Sequence, residues 1–158
     1  MPCYHLSWDA YGQWATPAPE TLVVAGQRLL PDRVVAERFR HAGDAPEACF
    51  DDALQRQLLA ETNIAAGQEG FRVHVAAADA TSLHVVVSWN DDRPWEEIRR
   101  AVRDSIVRRL RATGQRTWLS HRGTRRRIVD QGDYDRHVAQ LLSRPRSWKW
   151  SEARGLSR

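Results

Sequence analysis

Lysine is almost missing from this chain. Lys149 is the only one, so all but one of the 24 basic residues are arginine. Guanidinium forks onto phosphate and stacks on bases better than ammonium does, although an arginine bias also follows from a GC-rich genome. Cysteine is scarce as well. Cys3 and Cys49 stand far apart, which gives neither metal-ligand spacing nor a disulfide framework and leads us to expect a reduced, cytoplasmic chain. No apolar run approaches the length of a membrane span, so no membrane partner is expected. The opening Met1-Pro2-Cys3-Tyr4-His5 lacks the basic-then-apolar order of a secretory signal. Tyrosine is limited to three residues, which narrows the search for a phenolic nucleophile.

The 158 residues, with 42% hydrophobic and 28% charged content, suit one globular domain with a proper core. The net charge of +4 is modest; its distribution says more. Arg99, Arg100, Arg103, Arg108, Arg109, Arg111, Arg116, Arg122, Arg125, Arg126 and Arg127 crowd one stretch where acids are sparse. That is the footprint of a nucleic-acid face, unless the arginines merely solvate a helix.

The strongest strand signal is Ala80 to Trp89. Leu83, Val85, Val87 and Trp89 alternate onto one apolar face, and Ser82, His84, Val86 and Ser88 onto the other. Cys3 to Trp8 and Phe71 to Ala76 read as two further strands, the latter forming a hairpin with the valine strand. A short strand pair turning at Gly26 and a short helix over 34–39 are possible readings of the ambiguous segment between. A helix is expected from Asp44, where Asp-Ala-Pro-Glu offers a cap, to Gly67 or Gly70. Another opens at Pro94, buries Ile98, Val102, Ile106 and Leu110, and stops at Gly114. Arg127-Ile128-Val129 is a fourth strand candidate, and a last helix starts near Asp133 and ends at Pro145. The order strand, helix, strand, strand, helix, strand, helix predicts an α+β fold. It is a ferredoxin-like, split β-α-β antiparallel sheet with helices on one face, the other face open for a ligand, and an extra C-terminal helix. One domain over 1–145 is expected, with a variable insertion at 15–45 and a tail at 146–158 in which Trp148 and Trp150 could stack on bases.

Tyr4-His5-Leu6-Ser7-Trp8 with Tyr11-Gly12 and Trp14, then Thr81-Ser82-Leu83-His84-Val85-Val86-Val87, then Trp118 and Gly123-Thr124-Arg125, carry a resemblance. In order and spacing they are similar to the single-tyrosine HUH transposases, including the repeat-associated transposase-like proteins. The resemblance implies two histidines two apart on one strand face, a further polar ligand from the last helix, and a divalent metal, Mg2+ or Mn2+, that polarises a DNA phosphate. A helix tyrosine then attacks and leaves a 5′-phosphotyrosine link. Here Ser82 stands where the first histidine is implied, and the nucleophile position falls near Gln140. His84 is the one candidate metal ligand, although with its partner gone it also reads as an inherited histidine hydrogen-bonded on the sheet. His74 and His5 could lie on adjoining strands and rebuild a site. Tyr134 is the one candidate nucleophile, six residues from Gln140 and so on another helix level.

The expectation is a DNA-binding, transposase-like protein that recognises single-stranded or hairpin DNA, with a degenerate catalytic centre. It would act as a homodimer, as the resemblance implies, and grip DNA through Arg99, Arg103, Arg108, Arg111, Arg122, Arg125, Arg126 and Arg127. The first rival is an active, metal-dependent nicking enzyme using His84 and Tyr134. The second is a non-catalytic RNA- or protein-binding ferredoxin-like domain.

Overall fold

A computed structural model describes residues 1–10, 22–24, 27–29, 49–112, 119 and 123–158. Its centre is a six-stranded sheet in the order β6-β1-β5-β4-β7-β8. The strands are β1 (Cys3–Asp9), β4 (Arg72–Ala78), β5 (Ser82–Ser88), β6 (Thr124–Arg127), β7 (Trp148–Ser151) and β8 (Gly155–Ser157). Every pairing in it is antiparallel. A separate pair, β2 (Leu22–Val24) with β3 (Gln27–Leu29), forms the short hairpin expected around Gly26. The short helix expected over 34–39 lies outside the described residues.

Strands β1, β4, β5 and β6 and the helices α1 (Asp52–Glu69) and α2 (Trp95–Ala112) realise the split β-α-β order expected from the sequence. Both helices pack on one sheet face. Leu6, Trp8, Leu83, Val85 and Val87 meet Leu54, Leu58, Ile98, Val102, Ile106 and Leu110 there in one buried cluster. Each such side chain contributes roughly 1.5–3 kcal/mol on leaving water. Helix α1 starts later than Asp44: Asp51 is its cap, accepting from the Leu54 amide at 2.7 Å. It ends at Gly70, whose φ of 70° suits a residue without Cβ and lets its amide reach the Ala66 carbonyl. Helix α2 carries Glu96 and Glu97 in its first turn and Arg109 and Arg111 in its last, each of the sign that the helix dipole favours.

Three features depart from the sequence reading. First, the arginines are themselves the strand: β6 is Thr124–Arg127, and Ile128 just beyond it turns into a core. An edge strand needs no apolar alternation on its solvent side, so the hydrophobic pattern started the strand three residues late, at Arg127. Second, the other sheet face is partly covered. Helix α3 (Gln131–Leu142) lies on it, and Leu141 packs with Val75, Ala77, Val86 and Ile128 in a second cluster, flanked by Cys3, Tyr134, Val138 and Leu142. Third, β7 and β8 add a hairpin to the edge of β4, with Ala76 opposite Trp150 and Ala78 opposite Trp148.

One irregularity prepares the second face. Pairing of β4 with β5 shifts register between Val73 and Val75. The bulge puts Val73 into the first cluster and Val75 into the second, although plain alternation would put both on the same side. His74 thereby faces the α3 side, where its Nε2 lies 2.8 Å from Ser88 Oγ. No helix among the described residues is long and apolar enough to cross a membrane.

Candidate functional site

The α3 face of the sheet collects the polar chemistry of the chain. On β5, Ser82 and His84 project there, as their spacing predicted. On β1, His5 and Ser7 do the same, because Leu6 and Trp8 take the opposite face. Antiparallel register sets His84 opposite Ser7 and His5 opposite Val86, so the two imidazoles are diagonal neighbours. His5 Nε2 and His84 Nδ1 are 3.2 Å apart. His84 Nε2 is 3.0 Å from Ser82 Oγ. Ser82 Oγ lies 3.0 Å from both oxygens of Asp79, which sits in the β4–β5 turn and also takes the amides of Thr81 and Ser82. Arg144, just past α3, completes the chain: its Nε and Nη2 both donate to Asp79 Oδ2, and Nη2 donates to Ser82 Oγ at 3.2 Å.

Donor supply fixes the protons. A carboxylate only accepts, so the single Ser82 hydroxyl hydrogen goes to Asp79. His84 must then donate from Nε2 to Ser82 and accept at Nδ1 from His5. Both nitrogens of His84 are thus committed within the protein. The electrostatics agree. Burial, then the Arg144 charge, pushes His84 down to about 4, against a smaller upward pull from Asp79. Burial, with the neighbouring His84, His137, Arg144 and Arg126, brings His5 to about 4 as well. Burial alone would raise the Asp79 carboxyl. The hydrogen bonds from Arg144, Thr81 and Ser82 outweigh it and hold Asp79 near 2.

A third histidine arrives from α3. His137 is 5% exposed, and its ring centroid lies 5.1 Å from that of His5. Among the described residues neither of its ring nitrogens has a hydrogen-bond partner; Asp133 Oδ1, one turn earlier, is 3.6 Å from Nε2. Burial lowers its pKa, opposed by Asp133. Asp133 also meets Arg126 from the edge strand at 3.4 Å. The sequence reading missed His137; its placement three residues after Tyr134 and four after Asp133 on an amphipathic helix was the available signal. Although three imidazoles gather here, no group of three His, Cys, Asp or Glu side chains among the described residues is placed to hold a metal ion.

Two solved structures share this architecture. A REP-associated tyrosine transposase, solved bound to a REP hairpin, superposes with a TM-score of 0.52 at 8% identity, over 89% of this chain and 64% of its own. A candidate transposase from Deinococcus radiodurans R1 superposes with a TM-score of 0.52 at 11% identity, over 90% of this chain and 89% of its own. The chain shares the fold of these two proteins. No family model and no curated protein sequence matches the chain. The chain spans just under two thirds of the hairpin-bound protein.

Within this transposase-like fold the remaining sequence-singled residues scatter. Tyr134 packs edge-on against His74, with ring centroids 5.3 Å apart. Its hydroxyl is pushed up by burial and by Cys3, the opposite of an activated phenol. Gln140 is exposed on α3. His74 bonds Ser88 and not the His5–His84 pair. The cations of β6 divide by register. Arg126 pairs with His5 and shares its face, while Arg125 and Arg127 pair with Leu6 and Tyr4 and lean toward α2. Arg125 lies over the Trp95 ring at 4.1 Å, and Arg99 approaches the same ring at 5.2 Å. Arg99 also donates to the Gly123 carbonyl. Arg103 is half-buried beside Asp104, and Arg108 and Arg111 are exposed. Arg122 lies outside the described residues.

Proposed function

We propose that this chain is a transposase-like DNA-binding protein, cytoplasmic and homodimeric, that grips single-stranded or hairpin DNA without cutting it. The observation that carries the reading is β6: three successive arginines on an exposed edge strand of a transposase fold, beside a histidine face to which Arg126 also belongs. Successive strand residues point to opposite faces, so this edge offers guanidinium to a phosphate backbone on both sides at once. Arg99, Arg108 and Arg111 of α2 extend the cationic surface; Arg103 and Arg122 belong to the proposed grip by their place in the sequence. Trp95, already stacked under Arg125 and Arg99, is a platform for an unpaired base.

The catalytic rival needs Tyr134 and His84 to act on one phosphate. Tyr134 instead shares its contacts with His74, which favours binding over nicking. A divalent ion, Mg2+ or Mn2+, belongs to that rival alone. The test is fluorescence anisotropy with labelled hairpin, single-stranded and duplex oligonucleotides across a salt series. Log affinity should fall linearly with log salt, by about 0.7 to 0.9 per phosphate neutralised. Replacing Arg125, Arg126 and Arg127 by alanine should reduce that slope by about two to three. Absence of salt-dependent DNA affinity would sink the proposal, and an RNA competitor that displaces DNA at equal concentration would move it to RNA.

A further inference from the structure

The divalent ion that a tyrosine transposase uses does not fit the donors of this chain. The ligand position two residues before His84 is Ser82, a neutral hydroxyl whose hydrogen goes to Asp79 and whose lone pairs accept from His84 and Arg144. His84 gives its one lone pair to His5 and its N–H to Ser82. The place beside Ser82 already holds a positive charge, because the Arg144 guanidinium bonds both Ser82 Oγ and Asp79. A guanidinium and a divalent ion compete for the same anionic oxygens, and the protein supplies the guanidinium covalently.

We propose that Arg144 takes the metal ion's part in this chain: locked by Asp79 and Ser82 beside His84, it is a built-in cation that receives a nucleic-acid phosphate without any metal. Three features suit it to that task. Its side chain is 29% exposed, so one side remains open to solvent. Nε and Nη2 are engaged, whereas no acceptor among the described residues meets Nη1. The Asp79 carboxylate, itself fixed by the turn amides of Thr81 and Ser82, holds the fork in one orientation, which reduces the ordering cost when phosphate arrives. This inference rests on the DNA-binding reading for its ligand, but its metal arm does not.

The metal arm uses the full chain without DNA. Mn2+ is titrated and its free signal followed by electron paramagnetic resonance. The wild-type protein should leave the Mn2+ signal unchanged. Ser82→His combined with Arg144→Ala should create Mn2+ binding at least tenfold tighter than wild type, lost again when His84→Ala is added. Wild-type Mn2+ binding that His84→Ala removes would overturn the proposal, as would a double variant that keeps the wild-type circular dichroism yet binds no better. The DNA arm compares wild type in EDTA and in Mn2+, where affinity should agree within twofold. A tenfold tightening by Mn2+ would overturn the claim. Arg144→Gln should weaken DNA binding at least fivefold, and unchanged affinity would remove the phosphate role. Should wild type bind no DNA at all, the function proposed above fails while the Mn2+ result still decides the exclusion of the ion.

Discussion

An imidazole buried in its neutral form makes stability depend on pH. His5 and His84 are held near 4 in the folded chain, while an unfolded histidine titrates near 6.5. Between those values the unfolded state binds more protons than the folded one, so unfolding free energy rises with pH. Their contribution is complete above about pH 6.5 and is lost as pH falls toward 4, with a slope of up to about 1.4 kcal/mol per pH unit for each group. Thermal melts from pH 7.5 to 4.5 should show the midpoint dropping across that window. His84→Gln should flatten the drop while lowering the midpoint at pH 7.5, because an amide cannot reproduce both ring contacts. An unchanged pH profile in that variant would contradict the assigned protonation. The Asp79–Arg144 pair sits outside this window, since its carboxyl titrates near 2. Its stabilisation is present above the unfolded value near 3.8 and is lost only as pH falls toward 2. Asp79→Ala at neutral pH should cost about 1–3 kcal/mol in chemical denaturation, mostly by leaving a half-buried guanidinium uncompensated.

At the scale of elements, position in the sheet decided which of them the sequence disclosed. Strand β5 was legible because both its faces are buried, and three consecutive valines leave few alternatives. Helix α2 was legible from a four-residue apolar spacing. Strand β6 was read only from its last residue, as Arg127-Ile128-Val129, because an exposed edge of arginines carries no hydrophobic period. It is held by closeness instead. A Cβ on Gly123 would lie 2.4 Å from the Ser7 carbonyl oxygen and 3.2 Å from the Trp8 ring, so only glycine lets the chain enter β6 against β1. Gly123→Ala should therefore push β6 off β1, speed exchange of the 124–127 amides and lower DNA affinity severalfold with no charge altered. Wild-type exchange rates in that variant would show that β6 docks by other means. Helix α3 depends on a small cluster in which Leu141 is 1% exposed. Leu141→Ala should cost about 2–5 kcal/mol, measurable by urea denaturation, and should release His137 from His5.

For the whole molecule, the order of elements from β1 to α3 was readable in the sequence, whereas the β7–β8 hairpin was read as a tail. The convergence of the site was not readable. Asp79, Ser82, His84 and Arg144 come from the β4–β5 turn, β5 and just past the end of α3, and sequence distance hides such meetings. The resemblance raised a sharper question, whether a phenol and an imidazole still converge on one phosphate. Helix α3 spreads its polar residues along the sheet: Tyr134 at its start lies by His74, His137 in its middle by His5, and Arg144 past its end by Ser82. On the proposed reading Arg144 receives the phosphate, and Tyr134 stands ten residues before it, roughly 15 Å along a helix axis. We therefore expect that single-stranded DNA incubated with the protein and Mg2+ or Mn2+ gives no covalent adduct on denaturing gels. Tyr134→Phe should leave DNA affinity within twofold of wild type. An adduct that appears with wild type and vanishes with Tyr134→Phe would restore the nicking enzyme, and would require α3 to slide along the sheet when DNA binds.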